Sequence, residues 1–206
     1  MKKRSYEKKA RAEAEHATIE AVCAAALEAF AVEPFDRVTL QNIAEKSGVS
    51  VQTVIRHFGS KEKLFQSLAE RETPRIMASR EAAHGDSLEA AVEALVEHYE
   101  QDGDMILNFL RQEELFEPIR EVVTGGRQMH REWVERHCAD VLGTAVGPRP
   151  NPRPGPDDGG RERRLNAAIA ATDLNTWKLL RRELGLEKRE VAAVMIELLH
   201  GLKRRD

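Results

Sequence analysis

Cysteine is nearly missing from this chain: Cys23 and Cys138 are the two thiols in 206 residues. That excludes a disulfide framework, and because Cys23 falls on an apolar helix face, a reduced, buried thiol is expected there. Aromatic residues make up only 5%. No stretch alternates β-branched with polar residues, so sheet is not expected, and the abundance of Ala, Leu, Glu and Arg favours an all-α class. Long apolar runs are absent as well. Without a signal peptide or a membrane span the protein is expected in the cytoplasm, with no membrane partner. There is no Gly-rich phosphate loop after a strand, no nucleophile elbow, and no pair of carboxylates set with a histidine at a recognisable spacing. An enzyme is therefore not expected, nor a cofactor. Charge of one sign is scarce too: the net charge of −3 gives no global attraction to nucleic acid, so such binding has to come from local basic clusters.

What is there begins with composition. A chain that is 41% hydrophobic and 33% charged can bury a core as one large or two small domains. The most informative stretch runs from Thr39 to Phe65, TLQNIAEKSGVSVQTVIRHFGSKEKLF. Thr39 caps a helix, with Val38 placed to staple onto Ile43, and Gly48 ends that helix by taking a left-handed conformation. Ser50 caps the next helix, with Val49 stapled to Val54, and Ser60 caps a third whose first turn carries Lys61. Two helices joined by a short Gly-containing turn make a helix-turn-helix, whose second helix enters the major groove of DNA.

Spacing separates the faces of that second helix. Val51, Val54, Ile55 and Phe58 recur at three and four and are expected inward, which leaves Gln52, Thr53, Arg56 and His57 outward. Gln pairs two-pronged with adenine, Arg with guanine, and Thr offers a hydroxyl and a methyl. Lys61 at a helix amino terminus makes a phosphate site.

The stretch resembles the TetR (tetracycline-repressor-like) family of bacterial transcriptional regulators, through a helix containing I-A, then G-V-S, T-x-x-R-H-F and S-K-E-x-L at the family's spacings. The resemblance implies that Thr39, Ser50, Gln52, Thr53, His57 and Lys61 sit where that family contacts operator DNA. One departure is Ile55, where the family usually has Tyr, so a phosphate contact often made by that phenol is expected to be missing.

The remainder reads as scaffold. Lys2, Lys3, Arg4, Lys8, Lys9 and Arg11 form a basic arm, either a solvated tail or a follower of phosphates. A long helix from about Tyr6 to Ala31 presents Ile19, Val22, Cys23, Ala26, Leu27 and Phe30 as one stripe, and Pro34 ends it. The third helix of the head is expected to break or kink at Thr73-Pro74. His84-Gly85-Asp86-Ser87 and Asp102-Gly103-Asp104 read as turns, and Pro118 opens a helix expected to reach about Leu142. Gly143–Gly160, rich in Pro and Gly, reads as a flexible loop. Two last helices follow, from Arg161 to about Leu184 and from Glu187 to Leu202. Both are apolar on two sides, which is how a two-fold four-helix interface is written, and dimerisation through the last two helices is also what the resemblance implies.

The expected architecture is thus all-α, of about nine helices: a helix-turn-helix DNA-binding head over residues 1–70 and an effector-binding and dimerisation domain over 71–206. The expected function is a homodimeric, ligand-responsive repressor on an inverted-repeat operator in double-stranded DNA. A helical protein-interaction adaptor is the alternative. Phe109, His130, Trp133, Asp173 and Trp177 are candidates for the effector pocket. His130, His137 and Cys138 invite a metal reading, but histidines seven residues apart on a helix stand roughly 10 Å from each other, too far to share an ion. No metal is expected.

Overall fold

A computed structural model describes residues 2–81, 87–143 and 158–203, with side chains described from residue 9 and not at 81 or 158. The side chains of Lys2, Lys3, Arg4 and Lys8 in the basic arm, residues 82–86 and the Pro-rich stretch over 144–157 lie outside them. Among the described residues there is helix and turn but no strand, and no helix is long and apolar enough to cross a membrane. The chain forms two compact units, one of Met1–Arg75 with Asp104–Val123, the other of Ile76–Gly103 with Thr124–Asp206.

The first unit is built on α1 (Lys2–Val32), which starts four residues earlier than its pattern suggested and stops ahead of Pro34. α2 (Leu40–Ser47) begins where Thr39, extended, accepts the Asn42 N–H, and ends at Gly48 with φ 70°. α3 (Val51–Phe58) begins where Ser50 accepts the Thr53 N–H. α4 (Lys61–Glu81) starts at Ser60, whose hydroxyl accepts the Lys63 N–H. These caps satisfy donors that an eight-residue helix cannot satisfy itself. Behind them lies a core of Val22, Ala26, Ile43, Val54 and Leu64, each fully buried, together with a ring of five phenylalanines. Phe30 stacks on Phe35, Phe65 meets both edge-on, and Phe109 and Phe116 close the set from α5 (Leu88–Leu110) and from the segment before α6 (Glu117–His137). Two amides tie the end of α1 and its following turn. Asn108 Nδ2 donates to the carbonyls of Phe30, Ala31 and Glu33, and the Phe35 N–H donates to Gln112 Oε1 at 2.7 Å.

Two expected breaks do not occur. α4 runs through Pro74; the helix keeps its other bonds on either side, and the Thr73 hydroxyl folds back onto the Ala69 carbonyl at 2.7 Å, a local bond that helices tolerate. α5 likewise runs straight through Asp102-Gly103-Asp104. Gly103 is there for packing, because a Cβ at that position would come within 2.8 Å of the Trp177 ring.

In the second unit, α6 ends at His137 rather than near Leu142. Cys138 precedes a single turn, α7 (Ala139–Leu142), closed by Gly143 at φ 72°. The carboxy-terminal helices are more divided than expected. α8 (Asp158–Thr172) stops because Asp173 takes an extended conformation and caps α9 (Leu174–Lys178), accepting the Asn175 N–H at 2.8 Å. The Thr172 carbonyl accepts the Tyr99 hydroxyl at 3.0 Å. A π-helical turn, Leu179–Glu183, extends α9, and Gly185 turns the chain at φ 72° into α10 (Lys188–Gly201), which opens with a capping box between Glu187 and Glu190.

Candidate nucleic-acid interface

α3 is short, capped and pinned through one residue. Val54 is fully buried, with Val51 and Phe58 half-buried beside it. Eight residues supply one inward stripe, so Ile55, a further 100° round from Val54, does not join it. It is 48% exposed, which corrects its expected inward placement. The outward face therefore reads Gln52, Ile55 and Arg56, all exposed, with Thr53 and His57 half-buried at its margins.

Several of these groups are already organised. The Ser50 and Thr53 hydroxyls lie 3.0 Å apart. Arg56 Nη2 donates to His57 Nε2 at 3.2 Å, which leaves the imidazole proton on Nδ1. Lys61 Nζ donates to the Phe35 carbonyl at 2.7 Å and sits 4.5 Å over the Phe35 ring, so its ammonium is held in place with two further protons to offer. Thr39 is committed through Oγ1 to the Asn42 N–H at 3.1 Å. Caps thus hold Thr39, Ser50 and Thr53, a carbonyl bond and a cation–π contact hold Lys61, Arg56 and His57 hold each other, and Gln52 stands exposed on the same helix.

The candidates for an effector pocket are divided between the two units. Phe109 belongs to the first unit, edge-on to Phe65. The other four belong to the second. Trp177 is fully buried; its Nε1 donates to Glu100 at 2.9 Å, its ring faces Tyr99, and Arg182 lies 5.0 Å over it. Asp173 is the cap of α9.

His130 and Trp133 stack nearly parallel at 5.9 Å inside a buried polar cluster. Thr172 Oγ1 donates to the Ala168 carbonyl at 2.8 Å, so it accepts from His130 Nε2–H at 3.1 Å; Nδ1 is then a bare acceptor for Arg80 Nη2 at 2.8 Å. Burial, aided by the Arg80 charge, lowers the His130 pKa from 6.5 to about 4. The indole Nε1 of Trp133 is buried with no hydrogen-bond partner among the described residues. Beside it is a void of about 20 Å³ lined by Met77, Arg80, Met129, Glu132, Trp133 and Arg136. Arg80 was not among the residues read from the sequence. Its signal, a third arginine on α4 after Arg71 and Arg75, does not differ from that of a solvated one. No group of His, Cys, Asp or Glu suited to a metal ion occurs among the described residues.

Residues 22–68 match the model of the bacterial regulatory proteins, tetR family. Over that span the chain is a tetR-family match. Its matched span takes in most of α1, both helices of the helix-turn-helix and the start of α4. No curated protein matches the chain.

Among solved structures, a TetR-like transcriptional regulator from a Rhodococcus species superposes with a TM-score of 0.65 at 16% identity, over 89% of this chain and 93% of its own. A tetR-family transcriptional regulator from Streptomyces coelicolor gives 0.64 at 16%, over 90% and 78%. The fatty acid degradation regulator FadR of Bacillus halodurans gives 0.54 at 18%, over 91% and 97%. These likenesses extend the shared fold beyond the tetR head to nearly the whole chain.

Proposed function

We propose that this DNA-binding transcriptional regulator is a homodimeric, ligand-responsive repressor that binds an inverted repeat through α3. The observation that carries the reading is the α3 face: a capped helix anchored at Val54 with Gln52 and Arg56 directed to solvent. In the major groove Gln52 would take an adenine edge, Arg56 a guanine edge and Thr53 a thymine, while Thr39, Ser50, His57 and the fixed ammonium of Lys61 hold phosphates. The first unit is then the reading domain and the second the effector-binding and dimerising one.

Dimerisation is assigned to α8 and α10. α10 leaves Leu198 47% exposed in an open groove with Val194, Gly201 and Leu202, an apolar stripe suited to its own two-fold copy. Leu198→Glu is expected to shift the sedimenting species from dimer to monomer at micromolar protein; an unchanged mass would remove α10 from the interface. The effector is assigned to the His130–Trp133 stack, with the donor of Trp133 and the unbranched, adaptable side chains of Met77 and Met129 as the means of admitting it. By linkage, an effector that favours mis-spaced heads weakens DNA binding by the factor with which DNA weakens effector binding.

Two variants test the face itself. Gln52→Ala is expected to lose about 1–3 kcal/mol on the selected operator and to relax the preference at one base pair. Lys61→Gln is expected to weaken binding to all sequences alike and reduce the salt slope by about one. If neither changes DNA affinity, α3 is not the reader and the chain is a helical adaptor.

A further inference from the structure

We infer that Ile55 reads the 5-methyl group of a thymine in the operator half-site, next to the base pair met by Gln52; this rests on the reading of α3 as the DNA-contacting helix. Ile55 is 48% exposed on a helix whose inner stripe is filled by Val54 and flanked by Val51 and Phe58. Because α3 is fixed by a cap at each end, the side chain does not turn inward without withdrawing those caps. Gln52, Ile55 and Arg56 stand at i, i+3 and i+4 and form one contiguous patch. The patch is polar and cationic at its two ends and apolar in its middle.

A double helix offers one surface that fits this order. The floor of the major groove carries acceptors and donors for Gln and Arg, and its one apolar group is the thymine methyl. Against a phosphate the same side chain would strip water without supplying a hydrogen bond. The charge of Arg56 beside Ile55 suits the polyanion, and the half-buried His57 holds that guanidinium at the rim of the patch through the 3.2 Å bond.

The test needs the wild-type chain and Ile55→Ala. Each thymine of the selected operator is replaced in turn, symmetrically in both half-sites, by deoxyuridine, which lacks only the methyl. One position is expected to lose about fourfold in affinity per half-site with the wild-type protein, the worth of one buried methyl group, and to lose nothing with Ile55→Ala. Since Ile55 is exposed, the variant should melt with the wild type. The inference is overturned if no thymine responds to uracil, or if the same thymine responds equally in both proteins, in which case another side chain, Thr53 foremost, holds the methyl. Failure of the full chain to select any duplex would show before a uracil is introduced, and would sink the DNA-reading assignment and this inference together.

Discussion

Trp177→Ala is expected to cost about 3–5 kcal/mol of stability, read as a fall of roughly 10–15 °C in the thermal midpoint for a chain of this size. The indole is fully buried, and it is the point at which α5 and the α9 segment meet. Its Nε1 binds Glu100, and the same carboxylate takes Arg181 Nε at 3.0 and 3.1 Å, while Arg181 Nη1 reaches the Leu186 carbonyl at 3.1 Å. Truncation removes a large apolar volume and one partner of a shared carboxylate. Gly103 supplies the control. Ala in place of Gly inside a helix gains about 1 kcal/mol by propensity, but here the new Cβ would meet the ring at 2.8 Å, and a fully buried ring has little room to give. Gly103→Ala should therefore destabilise by about 1–3 kcal/mol alone. In the Trp177→Ala background it should be neutral or stabilising. Additive losses in the double variant would contradict the packing role given to Gly103.

The second large effect is a pH dependence. His130 is neutral in the fold, with its pKa lowered from 6.5 to about 4, chiefly by burial, then by Arg80, with Asp173 opposing. As the pH falls below 6.5 the unfolded chain takes up the proton first, so stability fully present above that value is lost on the way down to about 4. The loss amounts to about 3 kcal/mol. Protonation would also point an N–H at the Arg80 guanidinium, where Nδ1 now accepts a bond at 2.8 Å. Carboxylates such as Glu20 and Glu97, held below their ordinary value by Arg71 and Lys188, add their own loss at lower pH. The difference between wild type and His130→Gln isolates the imidazole: denaturant midpoints of the wild type should fall more steeply between pH 6.5 and 4. Parallel slopes would contradict a buried neutral histidine.

The head was legible in the sequence because its signals are local. Thr39, Gly48, Ser50 and Ser60 announce helix ends through their own backbone chemistry, and each acts as written. Ile55 shows where periodicity runs out: the three-four rhythm admits four apolar residues, and an eight-residue helix buries one stripe. Gly103 and Pro74 were read as local punctuation, yet both lie inside continuous helices. The role of Gly103 depends on Trp177, a residue far along the chain, and no local rule contains it. Asp173 carried a cap signal that its apolar surroundings concealed. The effector candidates were chosen by residue type, which does not say which unit a side chain belongs to: Phe109 lies in the first unit and the other four in the second.

Selection of bound duplexes from a random DNA pool by the purified full-length protein, at one physiological salt concentration, followed by a salt titration on the winner, tests the central assignment most directly. The account predicts an inverted repeat whose half-sites are about one helical turn apart or a multiple of it, bound with an affinity that falls steeply as salt displaces the contacts to phosphate. Enrichment of no sequence, with only weak salt-sensitive binding, would contradict it.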